Sequence, residues 1–216
     1  MPIRLFTLKT GLLSPYFHEA LELVTPSRQK KTLRYLKIED RLRSLSAGLL
    51  LRHALGVTSD EELLLGPYGR LELIALFPHF SLSHSGDYAA LSVADIPHGL
   101  DMENLERGLN YKAIAKRIFT GDEYRDNQER LTEPLFFFSV FTRKESLMKA
   151  TGLGFHLDPR SFPVSPLDFP SFEVLGDSWY FKSLIMDKHI FTLAAKGEPI
   201  TIEHVELSPK DILESA

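Results

Sequence analysis

Hydrophobic and polar residues alternate from Pro2 to Leu8, a period of two that predicts a strand. Ser14 to Leu23 carries apolar residues at helical spacing and reads as a short helix. Asp40 to Leu55 reads as a longer one, with Leu42, Leu45 and Leu49 on one stripe and Gly56 as its stop. After a Gly66-Pro67-Tyr68-Gly69 turn, His79 to Ser83 and Tyr88 to Ala94 read as strands joined through Ser85-Gly86-Asp87, and Gly99 to Glu103 as a further short strand. Tyr111 to Phe119 is helical in pattern, and Thr120 and Glu123 have the spacing of a capping box that starts another helix. Pro134 suits the first turn of a long helix that Gly152 and Gly154 end. Ser161 to Pro170 is rich in proline and reads as a surface loop, followed by strands at Trp179 to Leu184, Ile190 to Ala195 and Ile200 to Leu207, with a turn at Asp187-Lys188. A helix followed by hairpin strands recurs in each half. That order predicts an α+β fold of two halves, residues 1–103 and 104–216, meeting near Asn104.

The long helix carries the most information. With Val140 set at zero on a helical wheel, Phe136, Phe137, Leu147 and Thr151 fall within about 60° of it and form a core-facing stripe. Phe138, Glu145 and Lys149 fall on the opposite side. An aromatic on that far face predicts that Glu145 and Lys149 point into a cleft; the alternative is a surface contact at i, i+4, worth about 0.2 to 0.5 kcal/mol.

Composition narrows the chemistry. A chain of 216 residues, 44% hydrophobic, can bury a full core. It has no cysteine, so disulfides and thiolate metal sites are excluded and hard cations held by Asp, Glu or His are favoured. No stretch approaches the roughly 20 apolar residues of a membrane span, and the first residues lack a signal peptide's apolar region, which predicts a soluble cytoplasmic protein. The net charge of −4 hides an asymmetry: Arg28 to His53 holds eight Lys or Arg against Glu39 and Asp40, a net +6, leaving −10 elsewhere. Such a patch on an acidic chain fits one anionic ligand or a solvated basic helix better than a surface that coats nucleic acid.

Asp101 and Glu103, two apart on a predicted strand, share one face with Cα atoms about 6.5 to 7 Å apart. Both carboxylates can reach one ion, and a divalent cation would remove their mutual repulsion; a solvated strand end is the bland alternative. A third oxygen ligand from Glu145 would make the partial carboxylate cage of magnesium. Ser83-His84-Ser85-Gly86 sits at a tight turn where hydroxyls, amides and an imidazole can face an anion. Adjacent residues of an extended segment point apart and the Gly-x-Ser-x-Gly elbow is missing, so His84 reads as a phosphate contact or as a cap of its own turn, not as a serine nucleophile's base.

Phe80-Ser81-Leu82-Ser83-His84-Ser85, Gly99-Leu100-Asp101-Met102-Glu103 and Phe141 to Gly154 (FTRKESLMKATGLG) resemble, in order and spacing, the three signature blocks of the 4′-phosphopantetheinyl transferases, in the long, surfactin-synthetase-activating type. The resemblance covers nearly the whole chain. Ser81 stands where the family usually has Asn, and Phe141 where it often has Trp; both bear on subfamily and substrate range.

The resemblance implies a pseudo-dimer of two similar α+β halves with coenzyme A in the cleft between them. It implies transfer of the phosphopantetheine arm of coenzyme A to a serine of an apo carrier protein (acyl, peptidyl or aryl), releasing 3′,5′-adenosine bisphosphate. By the same resemblance, Asp101, Glu103 and Glu145 match the ligands of Mg2+, for which Mn2+ can substitute, and Glu145 the base for the serine. Lys149 matches the lysine on the phosphate under attack, and Lys144 a second charge on the diphosphate. Ser83 and His84 match holders of coenzyme A phosphates, Arg28 and Lys31 the 3′-phosphate contacts, and Ser44 and Arg70 nucleotide contacts. A monomer without nucleic-acid or membrane partners is the implied state. The alternatives are a non-catalytic homologue that binds coenzyme A or carrier protein, and a nucleic-acid-binding protein using the basic window.

Overall fold

The computed structural model describes residues 2–214. The chain forms β1 (Pro2–Lys9), α1 (Phe17–Glu22), α2 (Pro26–Arg34), α3 (Ile38–Leu55), β2 (Leu63–Leu65), β3 (Leu71–Leu73), β4 (His79–Ser85), β5 (Tyr88–Ala94) and β6 (His98–Asn104). It continues through α4 (Tyr111–Ile118), α5 (Gly121–Asp126), α6 (Pro134–Thr151), β7 (Ser171–Val174), β8 (Asp177–Met186), β9 (His189–Lys196), β10 (Thr201–Leu207) and α7 (Pro209–Glu214). No helix among the described residues is long and apolar enough to cross a membrane.

Two four-stranded sheets carry the fold, in the orders β10-β1-β5-β4 and β6-β9-β8-β7. The first strand of each half pairs antiparallel with the second strand of a hairpin, β1 with β5 and β6 with β9. Each hairpin follows the half's long helix, α3 before β4 and β5, α6 before β8 and β9. The two halves therefore share one topology, as the sequence order predicts. Their division differs from the expected 103/104 boundary: β6 is hydrogen-bonded to β9, so the break between sheets falls before His98. The chain then returns, because β10 pairs in parallel with β1 and the last helix sends Ile212 into the N-terminal core.

The period of two in the strands sorts the core into layers. Ala89, Leu91 and Val93 of β5 pack with Leu45 and Leu49 of α3. Tyr88, Ala90 and Ala94 of the same strand turn the other way, to Leu100 and Met102 of β6 and Phe191 and Leu193 of β9. Both sheets thus bury their inner faces against each other and their outer faces under a helix, which is why β5 is buried at every position. Helix α6 is buried nearly all round. Phe138 owes its burial to α4, where Tyr111 meets its ring edge-on at 5.8 Å, and not to a cleft wall.

Gly99 sets how closely α6 lies on β6. A Cβ there would stand 2.0 Å from the carbonyl oxygen of Ser146 and 2.5 Å from the amide of Ala150, both backbone atoms that a rotamer change cannot move. Gly99→Ala is therefore expected to push α6 off the strand and cost about 1 to 3 kcal/mol, the usual penalty of overpacking. Thermal unfolding would show this as a drop in Tm of several degrees; a variant as stable as the parent would show that the close approach is dispensable.

Candidate active site

β4 and β6 are edge strands of separate sheets, and they lie side by side. Side chains, not a backbone ladder, close the seam between them. The alternating serines of β4 all face β6: Ser81 accepts from the amide of Leu100 at 2.9 Å, Ser83 donates to Asp101 at 3.1 Å, and Ser85 donates to Glu103 at 2.6 Å while accepting from the amide of Asn104. Two cations bridge the facing carbonyls. Arg70 Nη2 reaches Phe80 O and His98 O at 3.1 and 3.3 Å, and Lys149 Nζ reaches Leu82 O and Leu100 O at 3.5 and 3.0 Å. Lys149 also donates to Ser83 Oγ at 3.1 Å and pairs with Asp101 Oδ1 at 2.7 Å.

Asp101 and Glu103 share the face of β6 that lies under α6, as their spacing predicts, and both are buried. Glu103 is held by Arg107, whose Nη1 lies 3.0 and 3.1 Å from the two carboxylate oxygens. Glu145 comes off α6, half-buried, with no hydrogen-bond donor reaching it among the described residues. Burial, and then the charges of Asp101 and Glu103 against the opposing pull of Lys149, push its pKa up to about 7. The alternative, a Glu145 to Lys149 surface contact, does not form among the described residues: Lys149 pairs with Asp101 at 2.7 Å.

This donor set fits a hard divalent cation in its chemistry. Asp101 Oδ2 is buried without a hydrogen-bond partner, a cost that a bound cation would remove, and the charges of Asp101 and Glu103 both act on Glu145. In the present conformation Lys149 and Arg107 take up that negative charge, and among the described residues no three Asp, Glu or His side chains converge on one point.

A run of cations leads away from the acids. Arg28 sits on α2 with its stem against α3, where a Cβ on Gly48 would lie only 2.7 Å from Arg28 Cγ, and burial lowers its pKa. Lys31, one turn on, is lowered by burial and by the charge of Arg28. His84 projects from the opposite face of β4 to Ser83; packing around its ring, then Lys149, Arg43 and Lys31, hold its pKa down. Arg43 donates to Gly86 O at 2.7 Å and stands beside His84 in the field of that ring. Arg70, with Tyr68, Leu82, Met148 and Lys149, lines a pocket of about 290 Å³ beside the seam.

Three expected contacts are placed elsewhere. Lys144 is fully buried on the far side of α6, paired with Glu123 at 2.8 Å and donating to the carbonyls of Pro159 and Phe162. It anchors the proline-rich segment and does not face the diphosphate position. Ser44 is buried between α2 and α3, its hydroxyl 2.8 Å from Thr32 Oγ1, so it ties the helix carrying Arg28 and Lys31 to the core. Ser83 spends its hydroxyl on Asp101 and Lys149 inside the seam.

Arg107, Arg43, Ser81 and Ser85 are the residues that sequence reasoning left without a role. Arg107 stands four residues after Glu103, and the serines alternate on one strand face, so both signals were present in the spacing.

The pKa of Glu145 has a consequence for stability. Its folded-state pKa lies above the ordinary 4.5, so ionisation opposes folding: the penalty is absent below about 4.5, grows as the pH rises, and is complete above about 7. Glu145→Gln in chelator-treated protein is expected to raise Tm by a few degrees at alkaline pH and leave it unchanged at pH values near the ordinary carboxylate pKa. Equal Tm values for the two proteins at alkaline pH would show that Glu145 is not strained by its neighbours.

A sequence model described as the 4′-phosphopantetheinyl transferase superfamily matches residues 97–198, which run from the start of β6 to the end of β9. The chain is 32% identical over 138 residues to the 4′-phosphopantetheinyl transferase psf-1 of Bacillus pumilus, covering 60% of this chain and 57% of that protein. It is 29% identical over 146 residues to the 4′-phosphopantetheinyl transferase gsp of Aneurinibacillus migulanus, covering 64% and 60%. With a 4′-phosphopantetheinyl transferase of Bacillus subtilis it shares 31% identity over 153 residues, covering 65% and 66%. The matched region thus spans between 57% and 66% of these relatives, less of either chain than the motif blocks imply. The chain is thus similar to the 4′-phosphopantetheinyl transferase superfamily over residues 97–198, and to these relatives over 60% to 65% of its length.

Proposed function

We propose that this protein transfers the 4′-phosphopantetheine arm of coenzyme A to a serine of an apo carrier protein, at the seam between the two halves. The observation that carries the reading is the placement of Asp101, whose Oδ2 is buried without a hydrogen-bond partner, beside Glu103 and Glu145 and paired with Lys149, in a chain that matches this superfamily's model over residues 97–198. Asp101, Glu103 and Glu145 would hold Mg2+ or Mn2+, which when bound neutralises charge on the diphosphate.

The chain's own residues supply the rest. Lys149, at the seam with its side chain 32% exposed, faces the phosphate under attack. Arg43 and His84 line the adjoining open pocket, where Arg43 offsets charge on the leaving nucleotide and the neutral imidazole of His84 donates a hydrogen bond to it. Arg28 and Lys31 on α2 suit a further phosphate group, the 3′-phosphate of coenzyme A, and Arg70 borders the pocket for the nucleotide or the arm. The serine oxygen attacks the phosphorus next to the pantetheine, the bond to the adenosine-side phosphate breaks, and 3′,5′-adenosine bisphosphate leaves. Glu145 takes the serine proton, directly or through a water. General-base assistance of this kind is typically worth about 10² to 10⁴ in rate.

The expected result is a gain of one phosphopantetheine arm by an apo carrier protein incubated with coenzyme A, Mg2+ and this protein, read by intact mass. Glu145→Gln should lower the rate at least a hundredfold without loss of fold. A variant that turns over at the parent rate would remove Glu145 from the mechanism, and modification of no carrier would overturn the reading.

A further inference from the structure

Arg107 follows β6 directly, four residues beyond Glu103. The strongest arginine–carboxylate pairs present two nitrogens to the two oxygens. Here a single nitrogen, Nη1, straddles both oxygens at 3.0 and 3.1 Å, and Nε and Nη2 make no hydrogen bond among the described residues. The side chain of Arg107 is 53% exposed against 11% for Glu103, so the cation can leave at little cost while the acid it covers cannot.

The same guanidinium borders an open pocket of about 640 Å³ with Arg43, His84, Asn104 and Glu106. Glu106 is paired with Lys188 at 2.7 Å and Arg43 with Asp40 at 2.6 Å, so Arg107 is the pocket cation whose partner, Glu103, lies in the acid cluster. Arg107 therefore stands between the acid it holds and a space suited to an anion.

Charge balance links the two positions. Asp101, Glu103 and Glu145 are compensated by Lys149 and Arg107 alone. A divalent cation placed on these carboxylates overfills the positive charge unless a resident cation is released, and an exposed guanidinium so released is free to pair with an anion. A diphosphate that enters with the metal supplies one.

We propose that Arg107 switches partners. It is the resident counter-ion of Glu103 in the metal-free protein, competes with the divalent cation for that carboxylate, and turns to the diphosphate when the cation takes Glu103. Metal and coenzyme A then bind cooperatively, with Arg107 as the coupling element. This inference rests on the metal and coenzyme A assignments made above.

Titration of the full chain with Mn2+, followed by electron paramagnetic resonance with and without saturating coenzyme A, tests it without reference to turnover. The parent protein should bind Mn2+ weakly alone and about tenfold or more tightly with coenzyme A, within the usual range of coupling between sites. Arg107→Ala should bind Mn2+ alone about tenfold more tightly than the parent and lose most of the enhancement by coenzyme A, and Arg107→Lys should fall between them. Unchanged or weaker Mn2+ binding by Arg107→Ala alone, or an undiminished enhancement, overturns the partner switch while leaving the metal site intact. Absence of Mn2+ binding in every protein, with coenzyme A present, overturns the metal assignment and this proposal together.

Discussion

Two sheet edges, β4 and β6, meet with their carbonyls facing one another, and the ammonium of Lys149 sits between Leu82 O and Leu100 O while holding Asp101. Arg70 does the same one rung away, between Phe80 O and His98 O. Unpaired edge carbonyls buried in a protein interior are costly, so the seam needs donors, and the donors here are cations. Those cations in turn allow Asp101 and Glu103 to be buried as anions on the same strand. Gly99 completes the arrangement by letting α6 lie against β6, which brings Lys149 and Glu145 within range of the strand.

The resulting site is short of positive charge by design of its own geometry. Lys149 and Arg107 answer two of three acids; the pKa of the third, Glu145, is raised to about 7 by its burial first and then by the charge of Asp101. Such a group is poorly placed for structural service and well placed for proton transfer or for a metal. The polar seam also explains a division of labour along α6. Glu145 and Lys149 serve the seam, whereas Arg143 and Lys144 turn outward from it and bind the carbonyls of Val164, Leu167, Phe169, Pro159 and Phe162, fixing the proline-rich segment.

The strands β1, β5 and β9, the capping box at Thr120 and the glycine end of α6 were all legible, because each depends on near neighbours in sequence. The carboxylates Asp101 and Glu103 were legible for the same reason. What escaped depends on distant partners. Helix α2, buried at Thr32 alone, has little apolar signal; β7 is four residues long, and β10 gives no sign that its partner is β1 at the other end of the chain. Lys144 looked like its neighbour Lys149 because sequence spacing does not say that Glu123 waits on the other side of the helix. The 103/104 division failed because β6 reads as the last strand of the first half until its pairing with β9 is known.

The central proposal is that the seam between β4 and β6 takes up a divalent cation and a diphosphate once Arg107 leaves Glu103. Crystals grown with Mn2+ and coenzyme A, measured for anomalous scattering at the manganese edge, test it most directly. The account predicts one manganese peak bonded to Asp101 Oδ2 and to the carboxylates of Glu103 and Glu145, with diphosphate oxygens in its shell. A peak away from these three residues, or coenzyme A bound with no manganese between it and β6, would contradict it.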